Sequence, residues 1–232
     1  MPSTRLDLQV AQLHGANLQQ LSFNASRLIC CGWVGRDRAA LEAHIEELAQ
    51  LGIPRPTRMP IFMSFTTHLL TTDGDIGVIS PTTSGEVEYV LLCRDGDIWV
   101  TVGSDQTDRD VETKSIPASK QMCAKVLARG CWPYAEVRDH WNALMMRCWV
   151  ESSGQRTLYQ EGTMDAILSP YDLLTRLPDP PMPKEGLVVF SGTIATRSGL
   201  VYGDAYDLEL QDPVLQRCIR ASYRVTVLPQ HV

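Results

Sequence analysis

Two glutamates one residue apart are the first feature of this chain that could do chemistry. They lie in Gly85-Glu86-Val87-Glu88-Tyr89-Val90-Leu91-Leu92, an apolar, β-branched run that reads as a strand. Side chains alternate faces along a strand, so both carboxylates share one face while Val87 and Tyr89 take the other. Neighbouring anions repel unless a cation joins them. An isolated Glu-x-Glu is more often a solvated strand face than a site, and the residues that follow shift that balance. Arg94-Asp95-Gly96-Asp97 carries an Asp-Gly pair suited to a tight hairpin turn, and Ile98-Trp99-Val100-Thr101-Val102 brings the chain back. The return delivers Gly103-Ser104-Asp105-Gln106-Thr107-Asp108-Arg109-Asp110, a polar cluster directly after an apolar strand. Asp105 is thus a third carboxylate, arriving where the return strand ends. Glu86, Glu88 and Asp105 offer the hard oxygen ligands that suit magnesium or manganese (Mg2+ or Mn2+), with positions left for a substrate and a water. Arg109 adds a planar fork for an anionic substrate. Alone, the octapeptide fits a turn closed by Asx-type hydrogen bonds equally well.

The elements that must position these groups are mostly strands. Residues 5–34 alternate loosely and read as short strands, after which Asp37 caps an expected helix to about Leu51, with Gly52 as its stop. Leu41, Ile45 and Leu48 form the apolar stripe of that helix. From Pro60 to Val102 short strands and turns alternate. A helical patch is expected over Ala118 to Arg129, another after Pro133, and a short one over Pro170 to Thr175. Beyond Leu187 the chain reads as strand, in Val188-Val189-Phe190, Ala205 to Leu210 and Ala221 to Leu228. The expected class is α+β, β-dominated, with a few peripheral helices. Pro-dense stretches at 52–56 and 177–183 separate no segment large enough to be independent, so one domain over 1–232 is expected.

The bulk numbers exclude several function classes. With 44% hydrophobic and 21% charged residues over 232 positions, the chain can bury a full core without staples. Its net charge of -6 gives no electrostatic footprint for nucleic acid or anionic lipid, and no apolar run reaches spanning length. The first residues, Met1 to Asp7, lack the apolar stretch of a secretory signal, so a cytoplasmic location is expected. Seven cysteines without metal-ligand spacing read as reduced, mostly buried thiols. A small-molecule carboxylate is the expected partner, with no nucleic acid and no membrane.

Other reactive residues are weaker signals. His44 shares a helix with Leu41, Ile45 and Leu48, where a lone histidine is more often a surface or satisfied residue than a base. Glu47 at i+3 shares its face and can orient the imidazole. His68 is the reserve candidate, while His140 and His231 read as structural or incidental. Cys30, Cys31 and Cys123 have no evident base and read as packing. Trp141, Met145, Met146 and Trp149 read as core.

Taken together, these segments resemble, in order from about Gly35 to Leu228, the fumarylacetoacetate hydrolase family, including its acylpyruvate-hydrolase and oxaloacetate-decarboxylase members. The Glu-x-Glu metal motif of that family looks like Glu86-Val87-Glu88, and its Asp-x-(Ser/Thr)-Ala-Arg-Asp motif looks like Asp105 to Asp110. Gly35-Arg36-Asp37 followed by His44 and Glu47 resembles the segment leading to a lid helix with its water-activating dyad. Ser191-Gly192-Thr193 resembles a Thr/Ser-Gly-Thr segment. By this resemblance Glu86, Glu88 and Asp105 hold the metal, Arg109 is a substrate or structural contact, and Thr193 binds the substrate carboxylate. Residues 1–57 would be N-terminal strands and a lid-like helix, and 58–232 a metal-binding β-roll or mixed sandwich. The active-site lysine has two candidates: spacing favours Lys125, and the polar neighbours Ser119 and Gln121 favour Lys120. The implied activity is metal-dependent cleavage of a C–C bond in a 2-oxo acid or β-diketone-like compound by a homodimer. Decarboxylase, dehydratase, isomerase or non-catalytic binding roles belong to the same group. Two departures stand out: the Glu88 to Asp105 interval is short, and Pro60-Ile61-Phe62-Met63-Ser64-Phe65 lacks an expected lysine.

Overall fold

The computed structural model describes residues 3–10, 19–39, 41–42, 45–46, 55–56, 58–178 and 185–230. Strands dominate it. Among the described residues a ten-stranded sheet contains the N-terminal strands Thr4–Val10, Gln19–Ala25 and Arg27–Gly32, and a five-stranded sheet holds Gln155–Thr163, Met145–Ser152, Ala205–Asp212, Arg217–Val227 and Asp75–Val78 in that order.

The hairpin Val87–Arg94 with Asp97–Asp105 lies in the middle of the larger sheet. Arg94 pairs with Asp97, leaving a two-residue loop in which Asp95 and Gly96 both take positive φ, 55° and 83°. That is the type I′ geometry for which an Asp-Gly pair is suited. The strand Val87–Arg94 also pairs with Leu187–Phe190, which runs parallel to Arg27–Gly32. With neighbours on both sides, its residues divide by parity between two cores. Val87, Tyr89, Leu91 and Cys93 enter the layer shared with the five-stranded sheet; Val90 and Leu92 enter the layer under the N-terminal strands with Leu6, Leu8, Phe23 and Phe190. Each fully buried aliphatic side chain here contributes about 1.5–3 kcal/mol relative to exposure. Glu88 has the parity of Val90, so it sits at the end of the second layer, on the face opposite Tyr89.

The helices are short. Arg38, Ala39, Leu41, Glu42, Ile45 and Glu46 are helical, and the Asp37 carboxylate accepts the Ala39 N–H at 2.9 Å, as expected of a cap. The remainder of that helix, with Leu48 and Gly52, lies outside the described residues. Ser169 and Asp172 form a capping box ahead of the helix Pro170–Arg176. The helix expected over Ala118 to Arg129 is a correction. It spans only Ile116–Gln121, and the chain then becomes the strand Lys125–Leu127, because pairing with the end of the hairpin outweighs local helical pattern. In that register Lys125 stands opposite Asp105.

Trp141 and Met146 are buried as expected, whereas Met145 and Trp149 are half-buried, with the Arg156 guanidinium 4.7 Å over the Trp149 ring. Six cysteines are free and buried, and Cys218 is free and exposed. Among the described residues no helix is long and apolar enough to cross a membrane.

Candidate metal centre

The three carboxylates expected to meet do so. Ligand oxygens of Glu86, Glu88 and Asp105 lie within 4.8 Å of one another. The backbone explains how. The Asp105 N–H donates to the Glu86 carbonyl at 3.0 Å and the Glu86 N–H donates to Ser104 Oγ at 3.2 Å, which ties the start of one hairpin strand to the end of the other. Ser104 is itself held by Tyr223 Oη at 2.7 Å. Gly103 admits close neighbours: a Cβ there would stand 2.6 Å from the Val126 carbonyl and 2.9 Å from the Phe190 ring.

Each carboxylate has a different environment. Glu88 is wholly buried; its Oε2 accepts the Gly192 N–H at 2.7 Å, and its Oε1 has no hydrogen-bond partner among the described residues. Burial, with the Asp105 charge beside it, pushes its carboxyl well above the usual range. Gly192 reaches it with φ 84°, where a Cβ would stand 2.6 Å from Val34. Glu86 is the member nearest solvent, its side chain 16% exposed. Its Oε1 accepts Arg109 Nη2 and its Oε2 accepts Lys120 Nζ, both at 2.9 Å. Burial alone would raise its carboxyl, yet Lys120 and Arg109 outweigh that and lower it to about 2. Asp105 is fully buried between two ammonium groups, Lys120 Nζ at 2.8 Å from Oδ2 and Lys125 Nζ at 2.8 Å from Oδ1.

Both lysine candidates therefore reach the acid cluster, from different elements. Lys120 comes from the short helix and also touches Thr107 Oγ1 at 3.2 Å. Burial opposes its charge, but Asp105, Glu86 and Glu88 hold its amine well above the usual lysine value. Lys125 comes from the paired strand, and its Nζ donates to the carbonyls of Gln106, Lys120 and Cys123 at 2.9, 2.6 and 3.1 Å. Arg109 opens a helix capped by Asp108 and uses Nε on Ser84 at 2.7 Å, Nη1 on Glu112 at 2.8 Å and Nη2 on Glu86. Thr193 Oγ1 donates to the Val87 carbonyl at 2.7 Å and accepts Gln160 Nε2 at 2.8 Å. Both side chains assigned to substrate by resemblance are thus engaged with protein groups.

His44 and Glu47 lie outside the described residues, as does His231. His68 is exposed, and His140 Nε2 sits 3.0 Å from buried Asp212, in keeping with a structural role. Cys30 lies close enough to feel Asp105, Lys125 and Glu88, and burial pushes its thiol well up, as it does for Cys31. Neither has nucleophilic character there. A cavity of about 650 Å³, lined among others by Arg36, Tyr134, His140 and Ser169, includes none of the three carboxylates.

Several positioning residues carry no sequence signal. Gln160 accepts the Val87 N–H at 3.0 Å while donating to Thr193 and to the Ile194 carbonyl, so it joins the Glu-x-Glu strand to the Thr193 loop. Tyr223 also donates to Gln106 Oε1 at 2.8 Å. Both come from strands far along the chain, where a lone Gln or Tyr looks like any other.

Residues 31–223 match the model of a family described as a protein of unknown function, DUF2848. The chain belongs to this family. Among curated proteins none matches it in sequence. Solved structures share its fold at low identity. A yeast fumarylacetoacetate hydrolase family protein matches with TM-score 0.62 and 14% identity over 89% of this chain and 95% of that one. A 2-keto-3-deoxy-D-arabinonate dehydratase complexed with magnesium and 2,5-dioxopentanoate matches with TM-score 0.57 and 16% identity over 87% and 74%. The 4-oxalocrotonate decarboxylase of Pseudomonas putida G7, complexed with calcium and acetate, matches with TM-score 0.56 and 14% identity over 85% and 76%. The β-dominated fold of this DUF2848 protein is accordingly of the fumarylacetoacetate hydrolase type.

Proposed function

We propose that this protein is a divalent-metal-dependent enzyme that hydrolyses a C–C bond in a 2-oxo acid of the acylpyruvate or β-diketone class. One observation carries the reading: ligand oxygens of three carboxylates converge within 4.8 Å, and the buried Glu88 Oε1 among them has no partner among the described residues. Buried polar atoms are rarely left so, and a divalent cation would satisfy this one. Around Mg2+ neighbouring oxygen ligands stand about 3 Å apart and opposite ones about 4 Å, so the three carboxylates would close in on the ion to become a ligand set. Bound there, Mg2+ or Mn2+ would polarise the 2-oxo group and stabilise the negative charge that develops as the bond breaks.

The protein's own residues supply the rest. Arg109 and Lys120 keep Glu86 ionised, which a ligand carboxylate must be. Lys120 and Lys125 balance negative charge on the Asp105 side, and Thr193 is the candidate contact for the remote carboxylate of the substrate. His44, with Glu47 three positions on in the sequence to orient it, would take a proton from the attacking water. A homodimer, a single domain and a cytoplasmic location complete the proposal, resting on the resemblance and on composition.

A second reading keeps the charge stabilisation and omits the water: a decarboxylase, dehydratase or isomerase. The names of the dehydratase and decarboxylase neighbours favour it. Calorimetry with Mg2+ and Mn2+ should show binding that Glu86→Ala abolishes; equal binding by the variant removes the metal assignment. Metal-dependent turnover of an acylpyruvate, lost in His44→Ala, supports hydrolysis. Full activity of His44→Ala, or turnover of oxaloacetate alone, supports the second reading, and binding without turnover across a 2-oxo acid panel indicates a non-catalytic relative.

A further inference from the structure

The arrangement of partners around the three carboxylates is asymmetric. Glu86 has both oxygens engaged, Oε1 by Arg109 and Oε2 by Lys120, and Asp105 likewise, Oδ2 by Lys120 and Oδ1 by Lys125. Asp105 Oδ1 has the Lys125 ion pair but no hydrogen bond, whereas Glu88 Oε1 has neither among the described residues. Two of the three cations are fixed. Arg109 is anchored by Ser84 and Glu112 as well as by Glu86. The Lys125 ammonium is wholly buried and donates to three backbone carbonyls that cannot follow a moving side chain.

Lys120 differs from both. Among the described residues its ammonium touches, apart from the two carboxylates, only Thr107 Oγ1, at 3.2 Å. It rides on a flexible four-carbon stem and can swing without moving its backbone. Release of this one ammonium frees an oxygen on Glu86 and an oxygen on Asp105 together, beside the Glu88 oxygen that is free already. A set of three ligands, one from each carboxylate, then exists after a single side-chain motion. A divalent ion on those oxygens repels an ammonium a few ångströms away, which drives the motion to completion.

Resting on the reading that Glu86, Glu88 and Asp105 bind a divalent ion, we propose that Lys120 is a tethered cation that the ion displaces from Glu86 and Asp105. The displaced ammonium moves toward the solvent side marked by Glu86, where it meets an anionic substrate. Metal loading and presentation of a positive charge to the substrate are then one event, and Lys120 and Lys125 have different jobs: the first moves, the second stays on Asp105.

The test is Mn2+ titration of the full chain and of Lys120→Met, by calorimetry. The variant lacks the competitor and should bind Mn2+ about tenfold more tightly or better, the scale on which groups contacting metal ligands act. Equal or weaker binding by the variant, with the unsubstituted protein binding, overturns the displacement. Absence of Mn2+ binding in both overturns the metal site itself. A second measurement needs no variant and reads the motion directly: pulsed amine acylation of the unsubstituted protein, followed by mass spectrometry. Lys120 should be protected without Mn2+ and reactive with saturating Mn2+, while Lys125 stays protected in both. Unchanged protection of Lys120 in the Mn2+-bound protein overturns the proposal even if Lys120→Met fails to fold.

Discussion

Glu88→Gln should make the protein more stable and unable to hold a metal, and the two effects have a common origin. Glu88 keeps one oxygen on the Gly192 amide at 2.7 Å, leaves the other without a partner among the described residues, and is raised well above its ordinary 4.5 by burial and by Asp105. Glutamine keeps the shape and the acceptor and removes the charge. The sign of the pH dependence follows from linkage. A carboxyl whose folded value is raised takes up a proton on folding, so its favourable contribution is fully present below 4.5 and is lost as pH rises through the folded value. Glutamine does not titrate, so the advantage of the variant should be absent near about pH 4 and grow as the pH rises. An unsatisfied buried polar group costs about 1–3 kcal/mol. For a chain of this length each kcal/mol moves Tm by about 2–4 °C, so a gain of about 2–12 °C is expected at pH 8. Differential scanning calorimetry in a chelating buffer measures it, and a repeat with Mn2+ should raise the Tm of the unsubstituted protein only. A variant that melts below the unsubstituted protein at pH 8, or that gains equally from Mn2+, refutes the reasoning.

Two further substitutions probe the supports of the site. Gln160→Leu removes the partner of the Val87 N–H and of the Ile194 carbonyl, and denaturant titration should show a loss of about 2–4 kcal/mol. Arg109→Met removes one of the two cations that lower Glu86 to about 2; because stability from a lowered carboxyl is present above 4.5 and lost as pH falls toward 2, the variant should lose about 1–3 kcal/mol at neutral pH. Its acid unfolding, followed by circular dichroism, should begin at a higher pH than that of the unsubstituted protein. Unaltered acid unfolding would mean that Lys120 alone keeps Glu86 ionised.

The parts of the site legible in the sequence are those set by short-range rules. The Asp95-Gly96 turn fixes a two-residue loop, strand parity puts Glu86 and Glu88 on one face, and the length of the return strand brings Asp105 beside them. What stayed open depends on partners distant along the chain. Lys120 and Lys125 both reach Asp105, one from a helix end and one from a strand whose existence depends on pairing with Gly103 to Asp105, so local sequence does not distinguish them. The helical pattern over Ala118 to Arg129 was cut short by that same pairing. Gln160, Gly192 and Tyr223 lie 72, 104 and 135 positions beyond Glu88 in the chain and meet the site only once it has folded.

The metal centre is tested most directly by an anomalous difference map from crystals soaked in Mn2+. One peak in contact with carboxylate oxygens of Glu86, Glu88 and Asp105, lost in crystals of Glu88→Gln, is the expected result. A map without a peak at these residues, or with its peak elsewhere in the chain, would contradict the metal assignment and the chemistry built upon it.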